Sequence, residues 1–313
     1  TIHEKGRRGY AESKRNLVLL DKNLKLLHYD EHVLSTAGPI RDLRIELKNL
    51  KPRWIQIFRH NNTKNKNDLK VGFVNSSAFG YNYLDSYSLD PTDCDLEYAV
   101  VNATAVGKDL FKCADFNFST QTCQGRWKKI LDISPGEDYT FNFTATDPAY
   151  GEGNYTVNLL DKENYLLDYN ETIINQTGNI TDLKLTFLDV NSSISEIEIH
   201  GHNASSGEDD LIVTEAINLT ASQNETRLQS VLSIDSFNLS FSNNSIKVKM
   251  KAKGRDLFEC ENWTSNSTCA DNVWTKVKDI EPNATYNFTI HEKGRRGYAE
   301  SKRNLVLLDK NLK

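Results

Sequence analysis

The sequence predicts an all-β protein built from tandem small Ig-like antiparallel β-sandwich domains, on three observations. Apolar and polar residues alternate over many short stretches, as in residues 246–253, and a period of two is typical of half-buried strands. Turn-forming Asn, Gly, Ser and Asp separate these stretches, and no convincing amphipathic helix of ten residues or more is evident. Internal repeats indicate that a sandwich-sized unit recurs along the chain.

The chain repeats itself at two levels. Residues 1–25 and 289–313 are identical letter for letter, which gives a period of 288 residues (289 − 1). A diverged repeat lies inside that period, because the Leu-Leu-Asp-Lys of residues 19–22 returns at 159–162 and the Asp-Leu-Phe of residues 109–111 returns at 256–258. We infer an old duplication followed by a recent one, and a chain cut from a longer array.

We expect two small sandwiches in each half of the period, hence four per 288-residue repeat. Domains of roughly 70 residues bury modest cores, so neighbours and disulfides would have to support them. The predicted segments are 1–16 (the end of the preceding repeat's last sandwich), 17–83 (a sandwich), 84–156 (a disulfide-clipped sandwich), 157–227 (a sandwich), 228–304 (a disulfide-clipped sandwich) and 305–313 (the start of the next repeat).

Charge and hydropathy limit the partners. The formal net charge of −5 argues against nucleic-acid binding, which usually needs a basic surface. No apolar run approaches the ~18 residues that a membrane-spanning helix needs. Because the sequence repeats, the expected partner is the chain itself, as neighbouring repeats along a fibre, with a cell surface or a polysaccharide as the alternative.

The cysteines predict disulfides. Cys113 and Cys123 form one short pair and Cys260 and Cys269 another, without the CxxC spacing of a metal site. Each bridge would close one loop or hairpin and stabilise the fold by about 2–3 kcal/mol. A Trp follows each pair, Trp127 and Trp274, and is expected to pack against it. Cys94 has no cysteine counterpart in the second half of the repeat, since a simple offset places Phe241 at the equivalent position. We favour a buried thiol over a cysteine that reaches a neighbouring chain.

N-glycosylation sequons, Asn-x-Ser/Thr, are unusually frequent and indicate an exported glycoprotein. In strands, Asn142, Asn287, Asn102 and Asn238 alternate with apolar residues and should therefore face solvent. Seventeen sequons follow residue 100, so segment 17–83 is relatively bare and is a candidate contact surface, unless surface Asn has simply drifted. The 19 candidate sites are Asn61, Asn75, Asn102, Asn117, Asn142, Asn154, Asn170, Asn175, Asn179, Asn191, Asn203, Asn218, Asn224, Asn238, Asn243, Asn262, Asn266, Asn283 and Asn287.

Other candidate sites are weaker. His200 and His202 could share a strand face as metal ligands, but we interpret the histidines as solvated loop residues. The acidic runs 90–97 and 208–210 lack the ligand spacing of a calcium loop, so calcium is the less favoured alternative and no metal or other cofactor is expected beyond N-linked glycans. We find no catalytic motif and no marked carboxylate pair, and we expect no enzyme activity.

The cysteine-bearing stretch resembles a known kind of module. The matching features are the Cys-x(8–9)-Cys spacing, the following Trp, residues 87–92 (Tyr-Ser-Leu-Asp-Pro-Thr) and residues 135–141 (Pro-Gly-Glu-Asp-Tyr-Thr-Phe). They are similar to the tandem β-sandwich modules of very large secreted or surface proteins of small-genome archaea. The second copy is looser, with Ser236 in place of Pro91. The resemblance implies an extracellular sandwich array and brings no catalytic residues with it.

Taken together, the sequence predicts a structural repeat unit of a glycosylated extracellular filament or giant cell-surface protein. The alternative is a surface adhesin that binds a cell or a polysaccharide.

Overall fold

The computed structural model describes residues 16–21, 23–48, 51–61, 67–73, 83–143, 149–216, 228–241, 246–271 and 273–301. The chain divides into two compact units, residues 1–154 and 155–313. All secondary structure in the described residues is β, so the predicted all-β class is confirmed. The predicted end segments 1–16 and 305–313 lie outside the described residues, apart from Asn16.

The first unit is a two-sheet β-sandwich. One sheet has the order β1-β5-β6-β13-β8-β11, the other has the order β12-β7-β4-β3-β2, and β9 and β10 form a small hairpin. The strands are β1 (Val18–Leu20), β2 (Tyr29–Ala37), β3 (Ile40–Leu47), β4 (Trp54–Asn61), β5 (Asp68–Phe73), β6 (Tyr83–Asp90), β7 (Tyr98–Thr104), β8 (Asp109–Cys113), β9 (Phe116–Asn117), β10 (Thr122–Cys123), β11 (Lys128–Asp132), β12 (Asp138–Phe143) and β13 (Ala149–Gly153).

The second unit repeats this topology. Its sheets have the orders β14-β18-β19-β24-β21-β22 and β15-β16-β17-β20-β23. The strands are β14 (Asn158–Leu160), β15 (Tyr169–Thr177), β16 (Ile180–Phe187), β17 (Ile194–Asn203), β18 (Asp210–Ala216), β19 (Leu228–Asp235), β20 (Ile246–Lys251), β21 (Asp256–Cys260), β22 (Thr275–Asp279), β23 (Thr285–Ile290) and β24 (Arg295–Ser301). The diverged inner repeat of the sequence is therefore the repeat of one whole sandwich.

This topology corrects the expectation of two small sandwiches in each half. Strand β5 pairs with β6 and strand β4 pairs with β7, so the predicted boundary between residues 83 and 84 divides strands that share sheets. Buried residues of both predicted segments belong to one hydrophobic cluster, from Leu17 to Tyr150. Combining the segments doubles the length of chain around one core, which raises the buried fraction of its surface. The boundary predicted at 156/157 lies two residues from the observed one.

The alternating patterns place the core as expected. In β20, Ile246, Val248 and Met250 are buried while the lysines between them are more exposed. The two sheets of the first sandwich meet where the rings of Phe141 and Tyr150 lie 4.3 Å apart. In the second sandwich, β23 and β24 make the matching contact between Phe288 and Tyr298, at 4.4 Å.

The strand pairing departs from the antiparallel expectation at one position in each sandwich. The pairs β1·β5 and β14·β18 are parallel, whereas the other strand pairs in the described residues are antiparallel. A parallel pair needs a long crossover connection. Here strands β2 to β4, and likewise β15 to β17, provide it by crossing to the opposite sheet.

Candidate functional site

Both predicted cysteine pairs are disulfides. Cys113, at the end of β8, bonds to Cys123 in the β9–β10 hairpin, and Cys260, at the end of β21, bonds to Cys269. In each bridge the Cα atoms lie 6.0 Å apart. Each bond closes a short loop beside a sheet, as the spacing predicted, and occupies the thiols that a metal ion would need.

The indoles pack as anchors, but not entirely as predicted. Trp127 is buried in the first sandwich. In the second, the more deeply buried indole is Trp263, inside the disulfide loop, and Trp274 packs edge-on against it at 5.8 Å. A Cβ added to Gly297 would lie only 2.2 Å from the Trp263 ring. The sequence repeat paired Trp274 with Trp127 and did not indicate Trp263.

Cys94 is a free, buried thiol, as favoured from the sequence. Burial raises the pKa of its thiol from the ordinary value of 9.0 to about 12. Cys94 forms an isolated backbone β-bridge with Asn67, and Leu239 forms the matching β-bridge with Asp209. The counterpart of Cys94 is therefore the buried Leu239 and not Phe241, and it is still apolar.

Most described sequon asparagines lie where a glycan can leave the surface. The exposed ones that are on strands are at sheet edges, on β12, β15 and β23, and the other exposed ones are in turns and loops. Asn61, Asn117 and Asn203 are partly buried, while Asn75, Asn218, Asn224 and Asn243 lie outside the described residues. The exposed ones are Asn142, Asn154, Asn170, Asn175, Asn179, Asn191, Asn238, Asn262, Asn266, Asn283 and Asn287.

Asn102 corrects the expectation that its side chain faces solvent. It is only 6% exposed, on the interior strand β7. Its Nδ2 atom, to which a glycan would be attached, donates a hydrogen bond to the Tyr139 carbonyl at 3.1 Å. The alternation rule failed here because side chains of the two flanking strands cover the Asn102 side chain on the outer face of the sheet. Its cross-strand neighbours are Trp54 and Thr140.

Each sandwich is organised around its own buried glutamate, which the sequence patterns did not indicate. Glu152 on β13 is fully buried. Its Oε2 accepts hydrogen bonds from the backbone N–H groups of Val106 and Gly107, at 2.6 and 3.0 Å. Its Oε1 accepts from the Tyr139 hydroxyl at 2.8 Å and the Lys51 ammonium at 3.1 Å. One carboxylate thus joins a loop, both sheets and a cation.

Glu300 on β24 does the same in the second sandwich. Its Oε2 accepts from the N–H groups of Lys253 and Gly254, at 2.7 and 2.8 Å, and from the Ser230 hydroxyl at 3.1 Å. Its Oε1 accepts from the Tyr286 hydroxyl at 2.9 Å. Burial raises the pKa of Tyr286, and the charge of Glu300 raises it further, so the phenol keeps the proton that it donates.

A weak sequence signal accompanies these glutamates. Tyr-x-Glu occurs at residues 150–152 and again at 298–300, and Gly107 and Gly254 lie beside the carboxylates. A Cβ on either glycine would lie 2.5 Å from a backbone oxygen of the adjacent strand. Only the sheet topology shows that the glutamates and these loops are adjacent.

The histidines correct another interpretation. His60 and His202 are fully buried on strands and not solvated in loops. Their Nδ1 atoms lie 2.9 Å from the Asp95 carbonyl and 2.8 Å from the Ser240 carbonyl, respectively. His202 is fully buried, whereas His200 is 39% exposed and lies 3.7 Å from the Asp182 and Glu198 carboxylates, so the two have different surroundings and do not form the possible metal pair.

The acidic runs are engaged in ion pairs. Calcium at these runs is the less favoured alternative, and the expectation that no metal binds stays a prediction. The pairs are Asp93 with Lys70 at 2.9 Å, Glu97 with Arg59 at 3.0 Å, and Glu208 with Lys293 at 2.6 Å.

The fold and these sites define a protein of two repeated, disulfide-clipped β-sandwiches. No helix in the described part of the chain is long and apolar enough to cross a membrane. No family model, curated protein or solved structure matches the chain.

Proposed function

We propose that this chain is a structural repeat unit of a glycosylated extracellular filament or giant cell-surface protein. The observation that carries the proposal is the exact recurrence of 25 residues at a spacing of 288. Identity of this length indicates a recent duplication, and in a tandem array each unit contacts only its neighbours. The proposed partner is therefore the neighbouring repeat.

The position of the repeated sequence supports this proposal. Residues 289–301 form the end of β23 and all of β24. Strand β24 lies between β19 and β21 and pairs with both, so it is an interior strand of its sheet. Residues 1–13 carry the same sequence. What recurs at the longer period is thus a segment that completes a sandwich.

An extracellular location is part of the proposal. Two disulfides favour an oxidising compartment. Exposed edge strands are sites of unwanted pairing between chains, and β15 carries the exposed sequon residues Asn170 and Asn175. Glycans there would block pairing along that edge. The proposal assigns no enzyme activity, no cofactor beyond N-linked glycans, and no nucleic-acid partner.

The proposal is tested on filaments isolated from the source cells. Antibodies against the recombinant chain should label extracellular filaments at regular intervals in electron micrographs. Reducing, denaturing electrophoresis should leave the antigen at very high mass if the repeats form one chain. A band near the 35.6 kDa of a single copy would instead show separate subunits. Label confined to the cell interior would refute the proposal.

Glycopeptide mapping of the native protein tests the glycoprotein part. We expect occupancy among the eleven exposed sequons and none at Asn102, whose side chain is buried and hydrogen-bonded. A fully occupied Asn102 with unmodified exposed sites would contradict this arrangement.

The adhesin alternative is favoured by a different observation, a pocket beside Trp54 on the first sandwich.

A further inference from the structure

The outer face of the first sandwich's five-stranded sheet is rich in aromatic side chains. Trp54 and Phe58 lie on β4 at positions that alternate with the buried Ile55 and Ile57. The ring of Tyr98, on β7, stacks against Phe58 with centroids 4.5 Å apart and planes 11° apart. These rings lie outside the hydrophobic core of the sandwich, on the side of the sheet that a partner could reach.

A pocket of about 560 Å³ opens beside Trp54. This volume falls within the roughly 300–1,000 Å³ that ligand sites usually have. The lining side chains include Arg44, Glu46, Lys48, Lys51, Arg53 and Trp54. The pocket therefore combines one large aromatic surface with several charged hydrogen-bonding groups.

The Trp54 ring is fixed in place by its neighbours. The Arg44 guanidinium lies 4.6 Å from the ring centroid, in a cation–π contact. Arg44 is in turn 3.2 Å from the Glu46 carboxylate, which is on the same strand. A ligand would meet a surface that is already ordered, so little side-chain entropy is lost on binding.

The cations of the pocket are already paired with carboxylates. Lys48 pairs with Asp30 and Arg53 pairs with Asp138. The hydrogen bond with Asp30 raises the pKa of Lys48. Four of the lining side chains are cationic and one, Glu46, is a carboxylate, but each cation lies within 4 Å of a carboxylate oxygen, so their positive charge is balanced. Such a lining does not favour a polyanion, but it can bond vicinal hydroxyl groups as donor and acceptor together.

We propose that this pocket binds a neutral saccharide chain, with a pyranose ring packed on Trp54 and its hydroxyls hydrogen-bonded to the surrounding ion pairs. The ligand chemistry is that of neutral hexose polymers, whether they belong to a cell surface or to a glycan on another protein. This function is additional to the structural role and does not depend on it.

The same face of the second sandwich gives a matched control. By strand register, Glu196 occupies the position of Trp54, and Lys184 that of Arg44. Lys184 lies 2.7 Å from Glu196, and Lys247 lies 3.4 Å from Glu198, so this face is a ladder of ion pairs. It has charged groups but, in its described residues, no aromatic surface.

The central sequon of the first face does not obstruct the pocket. Asn102 is the cross-strand neighbour of Trp54, and its buried Nδ2 is engaged with the Tyr139 carbonyl. Asn142, the exposed sequon residue of this face, is on the edge strand β12, two strands away from Trp54. The attachment point of a glycan there is thus outside the pocket lining.

The test is affinity electrophoresis of the full chain in native gels that contain hydroxyethyl cellulose, yeast mannan or dextran, with polygalacturonate as the anionic probe. We expect retardation by at least one neutral polymer. Trp54→Ala should weaken it at least tenfold, equivalent to about 1.4 kcal/mol. Trp54→Phe, which keeps a ring, should retain part of the binding, and Glu196→Ala should bind like the wild type.

Four outcomes would overturn the proposal. They are no retardation by any neutral polymer, retardation only by polygalacturonate, equal binding by Trp54→Ala and wild type, and an equal loss in Glu196→Ala. Hydrogen exchange in β4 and β7 must be unchanged in Trp54→Ala, so that lost binding is not lost folding. If hydrogen exchange is changed in Trp54→Ala, the Trp54→Phe variant makes the test. Saccharide binding by Trp54→Phe that is no stronger than that by Trp54→Ala counts against the site. A change in oligomeric state without saccharide binding would assign the face to self-association.

Discussion

The two sandwiches share a topology and a set of buried anchors, but their surfaces have diverged. Both hold a buried glutamate, a short disulfide and matching inter-sheet aromatic contacts. Among the described residues, the first unit has two exposed sequon asparagines, Asn142 and Asn154, whereas the second has nine. The first unit places Trp54 where the second has Glu196. The comparison teaches that the buried anchors, and not the surface, define this fold.

The largest expected effect comes from removing the buried carboxylates. Glu152→Gln should lower the free energy of unfolding of the first sandwich by about 3 kcal/mol, because a neutral amide gives up the charge-assisted hydrogen bonds and its NH2 group faces donors whichever way it turns. Glu300→Gln should do the same in the second sandwich. Native-state hydrogen exchange with peptide-level mass spectrometry measures each sandwich separately in the full chain.

The two variants should also differ from each other. Glu152 additionally pairs with Lys51, so Glu152→Gln should cost up to about 1 kcal/mol more than Glu300→Gln, the usual value of a partly exposed ion pair. Lys51→Met in the Glu152→Gln background should remove most of this excess. Loss of less than about 1 kcal/mol in both single variants would show that these carboxylates are not anchors.

Removing a disulfide should have the next largest effect. Cys113→Ser with Cys123→Ser, and separately Cys260→Ser with Cys269→Ser, should each lower the stability of their own sandwich by about 2–3 kcal/mol. The second loss should be the larger one, because that loop also holds Trp263 in a core cluster with both cysteines. Denaturant titration followed by hydrogen exchange makes the measurement. A larger loss in the first sandwich would reverse the comparison.

Gly297→Ala should destabilise the second sandwich only. The new methyl group would lie about 2.2 Å from the Trp263 ring, and overpacking of this kind costs about 1–3 kcal/mol. Ala149 is the register equivalent of Gly297 in the first sandwich and already carries a methyl group beside Cys113. Trp263→Leu should recover part of the loss. An unchanged melting temperature for Gly297→Ala would show that the indole is not held against this strand.

The smallest effect concerns Cys94. Because burial raises the pKa of its thiol to about 12, it stays protonated in the folded chain at pH 8 and should react slowly with iodoacetamide. Its folded pKa lies above its unfolded value, so its contribution to stability is complete below pH 9.0 and is lost as the pH rises towards about 12. Cys94→Ala should remove this dependence. Rapid alkylation of the native protein would contradict the burial of Cys94.

The sequence predicted what depends on local pattern. Alternation identified the strands and their inward faces, as in β20 and β12, because side chains on a strand point to opposite sides in turn. Short cysteine spacing predicted both bridges. The diverged repeat predicted that one unit recurs. Each of these signals lies within a few residues along the chain, or in the comparison of one segment with another.

Only the tertiary structure decided how those strands combine. Pairing of β4 with β7 and of β5 with β6 merges two predicted domains into one sandwich, and no local pattern encodes which strands pair. The same holds for Glu152, whose partners lie up to 101 residues away in sequence, and for Asn102, which neighbouring strands cover. Periodicity fixes which way a side chain points, whereas burial depends on what the rest of the chain places over it.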